Sequence, residues 1–395
     1  MSGTSGMGTG APDELRALSA LAFGELRLGV GGIASLHGAI ADRAFRGAGP
    51  ARATHDAIAG GVYAAVGAGT VAGRLAADGA LALRGPSGRA VSRTPRGAGL
   101  IAVLTGLRGD ALAREASALH EPMSVRVDGR PVAVERAALA ASFPSASERV
   151  VLFAHGLFES EHAWGGVFGD ALASELGWTP MALRYNSGLH ISENGRELDA
   201  LLAALVGAWP VPVARIALVG HSMGGLVARS AAHHGARAES GWTPLVSDVV
   251  SLGTPHLGAP LAQAIHVASA ALAEVPETRP LAGLLRRRSS GIRDLRGGSL
   301  VDADWAGNDP DALRAAARSE VPLLPGATHT FVSATVTRRA GHPVGRLVGD
   351  GLVLSASAEA RRLGFDVELL HVGAAHNLAL LRHPAVLALL RERLA

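Results

Sequence analysis

Ser222 stands in Gly220-His221-Ser222-Met223-Gly224-Gly225, directly after the apolar run Ile216-Ala217-Leu218-Val219 and directly before the helix-compatible residues 226–232. Strand, sharp turn and helix in that order push a serine out of the edge of a sheet. Small neighbours let the backbone take a strained angle without a side-chain clash. The exposed hydroxyl is then a nucleophile at the start of a helix whose N–H groups steady developing negative charge. With 51 Gly in the chain the bare pattern is unspecific, so its surroundings must carry the reading. Upstream, Val150-Val151-Leu152-Phe153-Ala154 reads as a buried parallel strand that ends in His155-Gly156-Leu157. The glycine there allows backbone to approach a substrate oxygen. An oxyanion hole needs two N–H donors, assigned to Leu157 or a neighbour on that loop and to Met223, the residue after the nucleophile.

Four motifs follow one another along the chain: the His155-Gly156 turn, the Gly-His-Ser-Met-Gly-Gly elbow, Leu252-Gly253-Thr254-Pro255-His256-Leu257-Gly258-Ala259-Pro260, and Gly349-Asp350-Gly351-Leu352-Val353. From residue 123 onward the chain resembles the α/β-hydrolase superfamily, lipase and esterase branch. A serine hydroxyl needs a base to remove its proton and a carboxylate to orient that base. In the family these follow the nucleophile in the order acid, then histidine. The resemblance therefore implies Asp350 as the acid and His376 as the base, with His371 as the alternative base. Asp350 between glycines also suits a plain Asx turn. His376 also suits a helix N-terminus, and His256 suits packing and hydrogen bonding. Near the substrate the reading places His155 and Gly156, although the His155 ring suits bracing the loop. Tyr185 and Asn186 join them at the pocket rim, because they follow a strand at the C-terminal edge of the sheet.

The elements that must position these residues are legible as pattern. Alternating runs around Asp128-Gly129 predict a hairpin over residues 123–134. Strands at 150–154, 181–184, 216–219, 249–252, 329–336 and 367–370 alternate with helices near 167–176, 193–209 and 377–393, the last interrupted at Pro384. Such alternation makes right-handed crossovers and a mainly parallel sheet with helices on both faces. The expectation is an α/β-hydrolase fold over residues 121–395, preceded by an N-terminal helical extension over residues 1–120. Helices near 13–46, 55–78 and 99–119 would form the extension. The pattern breaks at 259–327, where such hydrolases place a lid or cap. Short helices are expected there at 261–274 and 310–318, and Leu281-Ala282-Gly283-Leu284-Leu285 offers an apolar surface to an acyl chain or to packing. Gly61, Ala65, Gly69 and Gly73 recur every four residues and would give one helix a smooth face for close helix contact in protein or in lipid, although a chain this rich in Ala and Gly also yields such spacing by chance or for ordinary helix packing.

Composition bounds the partners. A chain of 395 residues, 48% apolar, builds a sizeable core. The net charge is +3 with no Lys, and the Arg residues are scattered apart from Arg286-Arg287-Arg288 with Arg293 and Arg296. That cluster reads as a solvated loop or an anionic-headgroup contact, and no nucleic-acid partner is implied. Zero Cys excludes disulfides, thiol catalysis and Cys-ligated metal. No classical export signal is visible in the first residues. The longest charge-free run, 249–273, contains two His and two Pro and reads as soluble core. The run 57–73 falls just short of a spanning length. A cytoplasmic or membrane-peripheral enzyme is expected, with the N-terminal helices covering the core or forming a membrane-facing or dimer surface. Its substrate would be a lipophilic carboxylic ester, cleaved through an acyl-enzyme with no metal or organic cofactor. An acyltransferase or thioesterase with the same triad, or a non-catalytic binding protein on this fold, are the rival readings.

Overall fold

A computed structural model describes residues 11–45, 49–83, 90–115, 117–260, 279–310, 318–339, 341–360 and 363–395, with isolated residues of 261–278 and residue 312. The chain forms two compact units. One comprises Met1–Thr94, Glu115–Leu119 and Ile265–Arg287; the other comprises Pro95–Arg114, His120–Ala264 and Arg288–Ala395. The second unit is built on β1 (Ser124–Val127), β2 (Arg130–Pro131), β3 (Arg149–Ala154), β4 (Thr179–Arg184), β5 (Arg215–His221), β6 (Val246–Leu252), β7 (Thr328–Thr335) and β8 (Glu368–Gly373). They form one eight-stranded sheet in the order β2-β1-β4-β3-β5-β6-β7-β8. The β1–β2 and β1–β4 pairings are antiparallel and the pairings from β4 to β8 are parallel. Asp128 and Gly129, both at positive φ, turn the β1–β2 hairpin as their types predict. This is the α/β-hydrolase fold.

In the first unit, α1 (Ala11–Ala44) and α2 (Gly49–Leu83) pair antiparallel. The His37 ring meets the Tyr63 hydroxyl and the His55 ring, each at 3.1 Å. By length and composition α1 is able to cross a membrane, and its most apolar window is not buried. The helix continues through Glu25 and Arg27, so it contains no long charge-free run. The small-residue face expected of α2 does not meet its partner: Gly61, Ala65 and Gly69 are exposed, and only Gly73 lies against Phe23. The packed face instead follows Ala59, Tyr63, Gly67 and Thr70.

The helices of the sheet unit are α3 (Pro95–Arg114), α4 (Arg136–Ser142), α5 (Val167–Leu176), α6 (Ile191–Ala208) and α7 (Met223–Arg237), followed by shorter segments and a terminal helix, Pro384–Leu394. Side chains alternate across the strands into two cores. Leu152 and Leu218 join Leu198, Leu202 and Leu226 on one face. Val151, Phe153 and Val219 join Phe168, Leu172 and Leu390 on the other. Strands buried on both faces must be apolar throughout, which is why they read as continuous runs.

Two boundaries differ from the sequence expectation. The helix expected to close the N-terminal extension, α3, belongs to the sheet unit, so the units do not part at residue 120. The 259–327 insertion is also divided. Residues 265–287 go with the N-terminal helices, while Arg288 onward goes with the sheet. In that second part Asp294 accepts the Ile191 N–H at 2.8 Å and Trp305 stacks on His190 at 3.8 Å, which ties it to the start of α6. The helices expected at 261–274 and 310–318 fall largely outside the described residues. Of the apolar run 281–285, Ala282 is buried within Arg279–Arg286, a helix of the first unit.

The seat of α3 is made by missing side chains. A Cβ on Gly109 would lie 1.8 Å from Asn186 Oδ1, and Asn186 Nδ2 donates to the Gly109 carbonyl at 2.9 Å. Gly109→Val should therefore lower stability by about 1–3 kcal/mol through overpacking. Gly99→Ala, with nothing within 4 Å of its new Cβ, should be neutral or mildly stabilising. Denaturant melts of the two variants check this, and equal losses would show that α3 is not seated as described.

Candidate active site

At the β5–α7 corner Ser222 adopts φ 49° and ψ −118°. A non-glycine residue in this region costs on the order of 1–3 kcal/mol and persists only where its surroundings hold it. The Ser222 N–H donates to the Leu252 carbonyl of β6 at 2.8 Å. A Cβ on Gly220 would lie 2.4 Å from the Gly225 nitrogen, and one on Gly224 would lie 2.2 Å from the Ala154 carbonyl oxygen. Glycine is therefore required on both sides of the serine, and α7 starts hard against the end of β3. Ser222 itself is half-buried. Met223 occupies the first helical position, where an N–H has no carbonyl four residues back to bond.

The loop after β3 is braced from below. Gly156 N–H donates to Glu159 Oε2 at 2.7 Å, and the same oxygen takes a hydrogen bond from His221 Nδ1 at 2.9 Å. His221 Nε2 donates to the Asn377 carbonyl at 3.2 Å. Both ring nitrogens thus face groups that only accept, which requires the imidazolium. Burial opposes that charge, but the Glu159 carboxylate, the Asn377 carbonyl and the charge of Asp350 together raise the His221 pKa. Burial likewise opposes ionisation of Glu159, yet His221 and the Gly156 N–H outweigh it and hold the carboxyl below its ordinary value. Nearby, Glu161 binds Arg184 at the end of β4 through two hydrogen bonds of 2.7 and 2.5 Å.

His155, Tyr185 and Asn186, expected near the substrate, are buried and committed to this frame. The His155 ring stacks on Tyr185 at 4.2 Å. Its Nδ1–H donates to the Gly156 carbonyl at 2.8 Å while Nε2 accepts the Tyr185 N–H at 3.3 Å, which selects one neutral tautomer. Burial lowers the His155 pKa accordingly. The Tyr185 hydroxyl donates to the His155 carbonyl, and Asn186 bonds Gly109, His120 and Gly188. These two residues therefore lie beneath the rim and not on it, because the chain leaving β4 folds inward to meet α3. In the same loop Phe158, at φ 65°, keeps its ring partly exposed, and Leu157 is half-buried.

Asp350 follows β7 and is 1% exposed. Its Oδ1 accepts the N–H groups of Leu352 at 2.9 Å and Val353 at 2.8 Å, so the Asx turn is formed. Oδ2 accepts Asn377 Nδ2 at 2.6 Å. Asn377 also donates its N–H to the Asp350 carbonyl at 3.2 Å and Nδ2 to the Gly253 carbonyl at 3.1 Å. Burial raises the Asp350 pKa against the pull of Asn377, Val353, Leu352 and His221. Hydrogen bonds thus join the residue before Ser222 to the residue after His376, and that residue to Asp350. His376 is exposed, and among the described residues its ring makes no hydrogen bond to Asp350 or Ser222. The alternative base, His371, lies inside β8 with its ring nitrogens at Ser333 Oγ, 3.0 Å, and Thr335 Oγ1, 3.1 Å. His256 is buried and stacked on Phe331 at 4.0 Å. Asn377 and Glu159, which hold the site together, carry no motif signal of their own beyond adjacency to His376 and the His155-Gly156-Leu157 loop.

The Glu159–His221 pair yields a pH signature. Glu159 is depressed below 4.5, so its contribution is present above that pH and is lost as pH falls through its folded value. His221 is raised above 6.5, so its contribution is present below that pH and is lost as pH rises through its folded value. The pair is therefore strongest between these limits. Glu159→Gln should cost about 3–5 kcal/mol near the middle of that window and clearly less in alkali, measured as unfolding free energy against pH. A pH-independent loss would contradict the charged pair.

Residues 207–279, which carry the Ser222 corner, match the family described as PGAP1-like alpha/beta domain. No curated protein matches the sequence. Among solved structures, the mature form of Bacillus licheniformis lipase BlEst2 aligns at 21% identity and TM-score 0.42, over 62% of this chain and 92% of that one. A Pyrococcus furiosus esterase aligns at 17% identity and TM-score 0.36, over 64% and 84%. A Pyrobaculum calidifontis esterase aligns at 13% and 0.37, over 62% and 73%. The strand order and the β5–α7 corner make this chain a protein of α/β-hydrolase fold, similar over residues 207–279 to the PGAP1-like domain.

Proposed function

We propose that this chain is a serine hydrolase of lipophilic carboxylic esters, with Ser222 as nucleophile, His376 as general base and Asp350 as the acid that orients the base. The observation that carries this reading is the Ser222 corner: a half-buried hydroxyl held at positive φ between glycines whose hydrogens leave no room for a side chain. Strain of that kind is retained where a side chain must be presented, and a packed serine has no need of it. In the proposed reaction His376 takes the Ser222 proton as Oγ attacks the ester carbonyl. The Leu157 and Met223 N–H groups receive the oxyanion. The alkoxide leaves with the proton from His376, and water attacks the acyl-enzyme by the same steps in reverse.

The Asp350 surroundings support its part. An ionised carboxylate offers about four acceptor positions, and three are taken by Leu352, Val353 and Asn377. In this proposal the remaining position on Oδ2 is the one the His376 ring would take. Burial raises the Asp350 pKa, so an imidazolium forming beside it during attack would favour its ionised state. A lipophilic substrate is supported by exposed apolar side chains next to the named residues: Phe158 beside Leu157, Leu352 near Asp350, and Leu378 near His376.

Ser222→Ala and His376→Ala should each lower kcat/KM on p-nitrophenyl esters by about 10³-fold or more, whereas His371→Ala should stay within tenfold. Fluorophosphonate labelling should require Ser222. A loss under tenfold for Ser222→Ala would end the proposal. Labelling without ester hydrolysis would move the assignment to acyl transfer or thioester cleavage, decided by products with alcohol and thiol acceptors.

A further inference from the structure

The α1–α2 pair carries a second feature that the ester chemistry does not use. Residues 28–41 of α1 and 57–73 of α2 contain no Asp, Glu, Lys or Arg. The His37–Tyr63 contact sets the two runs side by side. At 1.5 Å per residue they extend about 21 and 25 Å, against a bilayer hydrocarbon core of about 30 Å. Charges return at both ends. Arg27 with Glu25 and Arg74 with Asp78 lie at one end; Asp42 and Arg52 pair across the helices at 2.8 Å at the other.

Within this band the surface is apolar all round and has no polar face. Ile33, Ile40, Ile58 and Val62 are each more than half exposed, at 61, 51, 64 and 56%. Helices that lie flat on a membrane, or that simply face water, keep one polar side. The four polar side chains in the band are turned to internal partners. Ser35 donates to the Gly31 carbonyl at 2.9 Å and Thr70 to the Val66 carbonyl at 2.6 Å. His37 bonds Tyr63 and His55 between the helices. Water does not require such closure of every polar group, but hydrocarbon does.

From the charge-free band, its length and its closed polar groups, we infer that the α1–α2 hairpin inserts into the hydrocarbon of a phospholipid bilayer and anchors the chain there. The observations select lipid over a second copy of this chain, because a protein partner would contact one face and leave the rest in water. The inference is independent of the ester-hydrolase reading.

The absence of cysteine makes the test direct. Ile33→Cys and Val62→Cys in the full chain are labelled with an environment-sensitive nitrobenzoxadiazole dye, with Asn308→Cys, an exposed position of the sheet unit, as control. Adding phosphatidylcholine–phosphatidylglycerol vesicles should raise and blue-shift emission at positions 33 and 62 and leave position 308 unchanged. Nitroxides on the acyl chains should then quench the first two. Ile33→Lys with Val62→Lys should reduce the vesicle-bound fraction at least about tenfold, with helicity and fluorophosphonate labelling retained. Emission that stays water-like with vesicles, or that rises with protein concentration without them, overturns the inference, the latter in favour of self-association. Loss of labelling in Ser222→Ala leaves vesicle binding as it was, so the two readings fail separately.

Discussion

At Ser222 a β-strand becomes an α-helix within a single residue, and the rest of the site is arranged by that corner. The turn is tight enough to bring Gly224 onto the Ala154 carbonyl, so the first turn of α7 abuts the end of β3 and the loop that follows it. The helix N-terminus and the His155-Gly156-Leu157 segment are neighbours for the same steric reason. A left-handed serine is unfavourable by itself. It is held by a sheet hydrogen bond to Leu252 and by the burial of Met223, Leu226 and Val227 immediately beyond it. Conformational strain of about 1–3 kcal/mol is small beside the apolar burial of those three side chains, each worth about 1.5–3 kcal/mol.

Around the corner, position is maintained by residues next to the proposed catalytic ones. His221, one before the proposed nucleophile, is a buried imidazolium between Glu159 and the Asn377 carbonyl. Asn377, one after the proposed base, holds the Asp350 carboxylate and the Gly253 carbonyl. The chain thus ties β3, β5, β6 and the segments after β7 and β8 into one polar frame without spending the Ser222 hydroxyl or the His376 ring on it. Removing either partner of a buried ion pair leaves a charge without compensation, which is why this frame is sensitive to single substitutions.

The N-terminal helices obey a different solvent rule. The sheet unit hides its apolar residues on two faces of one layer and leaves polar residues outside. Within its charge-free band the α1–α2 pair keeps its polar side chains between the helices or on its own backbone and presents isoleucine and valine outward. The proposed bilayer anchor accounts for that inversion, and an esterase acting on lipophilic substrates would benefit from residence where such substrates concentrate.

The strands, their order of alternation with helices, and the elbow were readable because they depend on local pattern: apolar runs for strands buried on two faces, glycines at a corner, Asp-Gly at a hairpin. Asp350 was readable as a residue set in a turn. The surroundings of His371 required β8 itself. The strand runs three residues past its expected end, and pairing with β7 draws His371 between Ser333 and Thr335. The burial of Tyr185 and Asn186, the seat of α3 on Gly109, and the part played by Asn377 were decided by close approaches between residues far apart in the chain. Those approaches depend on matching shapes and hydrogen-bond geometry across elements. Periodicity and turn chemistry report only a residue's near neighbours along the chain, so contacts of this kind exist only once the layers have packed.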